Sequence, residues 1–404
     1  MSFLKCTECG KEYDPVDVYT CDSCGGEIEV LYNYKKVDRS NFLRKNGPSD
    51  KNMWISFLPL LPVDDINNAI SLGEGWTPLI RANNLEKELG LNELYFKLEF
   101  CNPTGSFKDR QISSGISKAN EMGKREFAIA SSGNAGVALS AYSAKSGFSA
   151  YVWVSDFAPR PKVRQIQVYG AQLLELQSRE GDISGYHEVF TGMPRFCDRT
   201  GLVPMVTARQ VNPYVVEGSK TIAFEIVTQL DRVPDNVFTP VGGGGLLGGN
   251  WKGFRELQLI GATEDLPVLF GAQYGEDHTP VDRIGDAKYS SDRFFEPLDG
   301  SWAHESIIDS GGELLRVSDD EITCAQLELA SKEGIFGEPP GVASFAGLKK
   351  AVEGGLVDRA GTTVCYVTGT GLKNIEGARK AAAIAEKTRK VHKVSGLEDS
   401  KKYL

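Results

Sequence analysis

Lys108 lies in the run Asn102-Pro-Thr-Gly-Ser-Phe-Lys-Asp-Arg110, between an apolar stretch at Leu94–Leu98 and a helical pattern over residues 111–122. A lysine at such a turn can meet an anion, or condense with a carbonyl to a Schiff base once burial or nearby positive charge lowers its pKa. A lone lysine on a polar turn is ordinarily a solvated surface residue, and two further segments change that reading. Pro240-Val-Gly-Gly-Gly-Gly-Leu-Leu-Gly-Gly249 follows a strand-like run and leads into the helical pattern Trp251–Leu257. Consecutive glycines let backbone N–H groups converge on a phosphate without obstruction by Cβ, and the following helix N-terminus adds a favourable dipole. The run is neither the nucleotide-binding lysine loop nor the spaced dinucleotide fingerprint, because no Lys-Ser/Thr follows and the spacing differs. Ser131-Ser-Gly-Asn-Ala-Gly136 repeats the passage from strand end to helix. Its backbone donors and hydroxyls suit a carboxylate, and Asn134 can donate to a phenolate oxygen.

Of the eight cysteines, Cys6, Cys9, Cys21 and Cys24 form two Cys-x-x-Cys pairs within the first 24 residues, while Cys101, Cys197, Cys324 and Cys365 are scattered singly. Paired knuckles suit tetrahedral thiolate ligation of Zn2+, and four thiolates leave no open position for substrate water, so the expected zinc is structural. A redox pair or an iron site would draw on the same sulfurs.

The elements that must position these groups are visible from about residue 70 onward. Short apolar or β-branched runs at Leu94–Leu98, Glu126–Ala130, Ala150–Val154, Gln172–Leu176, Val237–Thr239, Val268–Ala272 and Thr363–Val367 alternate with helical patterns over residues 135–145 and 221–230. That alternation predicts an α/β protein with an open, mostly parallel twisted sheet and flanking helices, whose ligands gather beyond the carboxyl ends of the strands. Residues 1 to about 35 read as a separate unit, and 391–404 as a charged tail without a core pattern. A chain of 404 residues suits two α/β domains plus such an appendage. The net charge of −9 opposes a nucleic-acid-binding surface. The longest uncharged stretches are too short and too broken by proline or glycine to span a bilayer, and the N-terminus carries no secretion-signal pattern, so a cytoplasmic protein is expected.

Together these segments resemble the fold-type II pyridoxal-phosphate enzymes, in particular the threonine synthases, over nearly the whole chain. The resemblance is carried by Ser71-Leu-Gly-Glu-Gly-Trp-Thr-Pro-Leu79, by Lys97-Leu-Glu99 with the Lys108 segment, and by Asn212-Pro-Tyr-Val-Val-Glu-Gly-Ser-Lys-Thr221. Gly334-Ile-Phe-Gly-Glu-Pro339 and Val367-Thr-Gly-Thr-Gly-Leu-Lys373 complete it. It implies two open, mostly parallel sheets behind an N-terminal four-cysteine zinc ribbon. The implied division is a ribbon at 1–35, a large cofactor-binding domain at 36–110 and 208–390, a small domain at 111–207 and a tail at 391–404. The implied cofactor is pyridoxal 5'-phosphate, with Lys108 as Schiff-base lysine and general acid/base. Asn134 would partner the phenolic oxygen, Gly242, Gly243, Gly244 and Gly245 the phosphate, and Thr368 the pyridine nitrogen. A hydroxyl at that last place leaves the ring nitrogen largely unprotonated. Ser131, Ser132, Gly133 and Ala135 would bind the α-carboxylate of a small amino-acid substrate. Phe107 would pack beside the cofactor, Asp109 and Arg110 would orient a helix start, and the enzyme would be a homodimer.

The activity implied is conversion of O-phospho-L-homoserine and water to L-threonine and phosphate. Three positions depart from the threonine synthase pattern: Ala135 replaces a threonine, the glycine run is unbroken as in dehydratases, and Val215 replaces an arginine used toward the substrate phosphate. Arg209 is a candidate replacement for that arginine. The departures keep open an ammonia-lyase of the threonine or serine dehydratase kind, or a β-replacing synthase, whereas the intact lysine setting disfavours a non-catalytic binding protein.

Overall fold

In the computed structural model, which describes residues 2–39, 52–156, 158–177, 184–274, 298–387, 391–395 and 397–401, three sheets organise the described residues. The first belongs to the N-terminal unit: β1 (Ser2–Cys6), β2 (Glu12–Tyr13) and β3 (Ile28–Tyr32) pair antiparallel in the order β2-β1-β3. β1 and β3 alternate buried and half-buried residues, the signature of a sheet with one face on a core.

The largest sheet has six strands, β4 (Leu79–Arg81), β5 (Glu93–Leu98), β10 (Asn236–Val241), β11 (Val268–Tyr274), β12 (Leu314–Val317) and β13 (Thr362–Val367), in the order β12-β11-β10-β13-β5-β4. All neighbours are parallel except the edge strand β4, which runs antiparallel to β5. β10 and β13 are buried at every position, because helices cover both faces, and so their sequences show no polar/apolar alternation. The third sheet, β6 (Glu126–Ala130), β7 (Ser149–Ser155), β8 (Gln172–Leu176) and β9 (Val203–Pro204), is wholly parallel in the order β8-β7-β6-β9.

Each of the seven predicted strand runs is a strand, and the α/β class with mostly parallel sheets stands. Two helices start earlier than their patterns indicated. The one read from residue 111 is Lys108–Glu121, opening at the lysine itself, and the one read from Trp251 is Gly245–Leu259, opening inside the glycine run. The domain boundary expected at residue 110 falls inside the first of these.

Arg110 sits in the first turn of the Lys108–Glu121 helix. It is fully buried, with Nε donating to Glu99 Oε2 at 2.7 Å and Nη2 donating to Glu99 Oε1 at 2.8 Å. Nη2 also reaches Glu225 Oε2 at 2.8 Å, and Nη1 contacts the same carboxylate. Lys97 Nζ, equally buried, donates to Glu225 Oε2 at 2.7 Å. Two cations and two anions thus neutralise one another where β5, the Lys108–Glu121 helix and the Thr221–Leu230 helix meet. Asp109 is buried too, accepting from the Thr104 N–H at 2.7 Å and Oγ1 at 2.6 Å, and burial pushes its carboxyl above the usual range. Among the described residues no helix is long and apolar enough to cross a membrane.

Candidate active site

The loops beyond the carboxyl ends of β6, β9, β10 and β13 open onto one cavity of about 540 Å³, where parallel sheets present their ligands. Every residue expected to touch cofactor or substrate lines it: Lys108, Ser131, Ser132, Gly133, Asn134, Ala135, Gly242, Gly243, Gly244, Gly245 and Thr368, with Phe107 beside them.

Lys108 begins its helix at the cavity wall, where Nζ donates to Thr207 Oγ1 at 2.6 Å and Gln111 Oε1 at 2.8 Å and lies 4.6 Å from the centre of the Phe107 ring. Burial draws the amine down to about 7, against the opposing pull of the Asp299 carboxylate. A large share of the amine is therefore unprotonated near neutrality, the form that condenses with a carbonyl.

The glycine run turns because Gly244 takes a left-handed φ of +93°, and its back is packed tight. A Cβ on Gly244 would stand 2.3 Å from the Asp299 carbonyl oxygen, and one on Gly245 would stand 2.5 Å from the Asp299 carboxylate. A Cβ on Gly243 would meet nothing within 4 Å. The loop is thus braced behind and open in front, where the first N–H groups of the Gly245–Leu259 helix have no partner within the helix. The brace is Asp299. Its N–H donates to the Gly243 carbonyl at 2.8 Å, and its carboxylate accepts the N–H of Arg209 at 2.9 Å and of Gln210 at 3.3 Å. Burial pushes that carboxyl up to about 6.

On the facing wall, Ser131 to Ala135 carry the chain from β6 into the helix Asn134–Ser146, whose opening N–H groups face the same space. Gly133 N–H donates to Ser131 Oγ at 3.3 Å and Ser155 N–H to Ser132 Oγ at 2.8 Å, which stiffens the turn. The Asn134 amide is held from two sides, donating to Glu338 Oε1 at 2.5 Å and accepting from Lys373 Nζ at 3.2 Å. Lys162 pairs with the other Glu338 oxygen at 2.9 Å. Thr368 follows β13, its carbonyl accepting the Phe107 N–H at 3.0 Å.

Sequence reasoning missed Thr207, Asp299, Lys162 and Glu338. Glu338 sits in a segment already singled out, Gly334 to Pro339, but without a role. The other three lie in stretches with no local signal, and only the tertiary fold brings them to the cavity. Two readings are corrected. Val215 is fully buried in the core of the four-stranded sheet, its Cγ2 2.5 Å from where a Cβ on Gly115 would lie, so it does not face the cavity and its identity carries no argument about substrate. Arg209 does not replace a phosphate-binding arginine, because its guanidinium is engaged by Glu27 at 2.6 Å.

The four N-terminal cysteines converge as expected, all four Sγ atoms within 4.8 Å of one another. Cys6 and Cys24 lie 3.5 Å apart and Cys9 and Cys21 3.6 Å apart. A tetrahedral Zn–S site with bonds of about 2.3 Å has edges of about 3.8 Å, so the donor set fits zinc. Each knuckle closes on a glycine in the left-handed region: Gly10 N–H donates to the Cys6 carbonyl at 3.1 Å, and Gly25 N–H to the Cys21 carbonyl at 2.9 Å. The Tyr13 hydroxyl, 3.0 Å from Cys21 Sγ, helps hold that thiol down to about 6.

An aldehyde-bearing, phosphorylated, ring-nitrogen cofactor needs an amine, a cluster of phosphate donors and a partner for its ring, and this cavity supplies all three. The chain belongs to the pyridoxal-phosphate dependent enzymes, whose family model matches residues 70–369. Its sequence is similar to threonine synthase of Methanocaldococcus jannaschii, 38% identical over 94% of both chains, and to that of Methanosarcina acetivorans, 36% identical over 93% of both. In fold it is similar to the processed form of threonine deaminase isoform 2 from Solanum lycopersicum, with a TM-score of 0.63 and 20% identity over 76% of this chain and 88% of that one.

Proposed function

We propose that the protein is a threonine synthase that converts O-phospho-L-homoserine and water to L-threonine and phosphate with pyridoxal 5'-phosphate. The observation that carries the reading is the 38% identity to a threonine synthase across 94% of both chains. The cavity's donor set supports it. Lys108 would hold the cofactor aldehyde, Gly242 to Gly245 its phosphate, Asn134 its phenolic oxygen and Thr368 its ring nitrogen. When bound, the cofactor supplies an electron sink for the substrate's α-carbon. Lys108 Nζ would take the α and then the β proton, with Thr207 and Gln111 keeping it in place. Ser131 to Ala135 hold the α-carboxylate at the helix N-terminus. Loss of phosphate from Cγ would be followed by protonation of Cγ, addition of water at Cβ and return of a proton to Cα, with Lys108 Nζ the amine in place to relay these protons.

A second reading, an ammonia-lyase of the threonine or serine dehydratase kind, rests on the cavity wall. Among the described residues its cations are Lys108 and Lys162, and Lys162 is paired with Glu338, leaving little charge for a second phosphate. The two readings separate on incubating the holoenzyme with O-phospho-L-homoserine and, separately, with L-threonine and L-serine. Phosphate and threonine from the first substrate alone are expected. Keto acid and ammonia from the hydroxy amino acids, with no phosphate release from the first, would overturn the synthase in favour of the lyase.

The same proposal includes structural zinc on Cys6, Cys9, Cys21 and Cys24, supported by their spacing, to be checked by metal analysis of the purified protein. It keeps the division into a ribbon, a large unit around the six-stranded sheet and a small unit around the four-stranded one. It further includes a cytoplasmic homodimer, whose mass light scattering would give.

A further inference from the structure

We propose that the N-terminal ribbon is a positioning element for the cofactor's phosphate loop, acting through a latch between Glu27 and Arg209. The inference rests on reading Gly242 to Gly245 as that loop. Glu27 ends the second cysteine knuckle, just before β3. Its Oε2 accepts Arg209 Nε at 3.0 Å and Nη2 at 2.6 Å, and its Oε1 accepts Gln210 Nε2 at 3.2 Å. The Arg209 guanidinium also lies over the Trp302 ring at 4.2 Å, and its side chain keeps only 12% exposure. Trp302 in turn fills the space against the phosphate-loop helix, where a Cβ on Gly248 would stand 2.4 Å from the indole.

The segment that carries Arg209 reaches the site at both ends. Thr207 accepts Lys108 Nζ, and the N–H groups of Arg209 and Gln210 hold the Asp299 carboxylate. Asp299 is the brace behind Gly243 and Gly244. One short stretch thus ties the cofactor's lysine, the back of its phosphate loop and the ribbon together. A planar guanidinium fixed by a carboxylate on one side and an indole on the other holds its own backbone in place, which a freely rotating side chain would not.

The ribbon end of the latch is itself anchored. The Tyr32 hydroxyl donates to Glu217 Oε2 at 2.7 Å, and the same carboxylate accepts Lys220 Nζ at 2.6 Å. The Tyr34 hydroxyl donates to Glu256 Oε1 at 3.2 Å. Because these contacts do not involve Glu27, losing the latch leaves the ribbon docked and loosens only the 207–210 segment and the loop it braces. Cofactor affinity then falls while the fold persists.

The test uses the full-length protein, freed of cofactor and titrated with pyridoxal 5'-phosphate while the absorbance of the lysine-bound cofactor is followed. E27Q and R209A should each raise the cofactor Kd by about ten-fold, within the usual range of coupling between sites. The double variant should raise it no further than either single, and R209K, which keeps the charge but not the planar fork, should fall in between. Thermal unfolding of the cofactor-free E27Q protein should stay within a few degrees of wild type. An unchanged Kd in E27Q and R209A, or effects that simply add in the double variant, would overturn the latch. A wild-type protein that develops no lysine-bound absorbance would instead sink the assignment of the cofactor.

Discussion

At Lys108 two opposing effects set how firmly the amine holds its proton. Burial expels the charge, while Asp299 favours it, and the result near 7 places the titration close to neutrality. Below that pH the amine is protonated and cannot condense, so cofactor capture by the cofactor-free protein should accelerate as pH rises through about 7. D299N removes the charge that retains the proton and should move the midpoint to lower pH, read from capture rates across a pH series. The stability consequence has the same sign. The unfolded lysine keeps its proton up to its ordinary pKa near 10.5 while the folded one releases it near 7. The unfolded state therefore binds more protons across that window, and the contribution of this site to stability rises with pH within it. K108M should flatten that slope in urea titrations of the cofactor-free protein, and it should abolish the absorbance of the lysine-bound cofactor at any pH.

The glycine run shows at the scale of an element why composition is an incomplete guide. Four consecutive glycines look interchangeable in sequence, yet Gly244 alone among them combines a φ of +93° with a carbonyl oxygen 2.3 Å from its missing Cβ. G244A should lower both cofactor affinity and the stability of the cofactor-free protein, the latter by about 1–3 kcal/mol from backbone strain, with the steric clash adding to it. G243A, with open space ahead of it, should leave unfolding of the cofactor-free protein unchanged and weaken only the cofactor, as differential scanning calorimetry beside a binding titration would show. Much of the architecture was legible. Buried parallel strands such as Val237–Thr239 and Thr363–Val367 advertise themselves as short apolar runs, and the helices that start at ligand loops follow from their glycines and serines. The edge strand β4 and the two-residue β9 were not legible, because so short a paired segment carries no pattern of its own. The helix Pro339–Glu353 also went unread although it packs against β10, β11 and β13, since the unbroken buried run Gly341–Leu348 carries no polar stripe of the kind that marks a surface helix. The chemistry-bearing residues were read where they sit in glycine- and serine-rich turns. Thr207, Lys162 and Asp299 escaped because they matter only through partners far along the chain.

For the molecule as a whole, a set of charges lies away from water. Glu225 balances Arg110 and Lys97 in the interior, and those cations in turn hold its carboxyl down to about 2. E225Q leaves two buried cations with a single carboxylate, Glu99, and should destabilise the protein by about 3–5 kcal/mol in urea unfolding, far more than removal of a surface pair such as Arg379–Glu376. On the proposed zinc site, a chelator should lower the unfolding temperature without unfolding the large sheet, because one of the two cores against that sheet contains no ribbon residue; circular dichroism would follow both. The attachment of the ribbon bears on how the chain is made. Tyr32 hydrogen-bonds a carboxylate 185 residues further on, and Glu27 an arginine 182 residues further on. At about 5–20 residues per second, a ribosome delivers those partners on the order of 10–40 s after the ribbon has emerged. Through that interval the two cysteine knuckles are complete and able to take up metal, but the face carrying Tyr32 has nothing to rest on. The ribbon is therefore made well before the residues it rests on, and the 242–245 loop gains its full bracing only when the nascent chain folds back onto the ribbon.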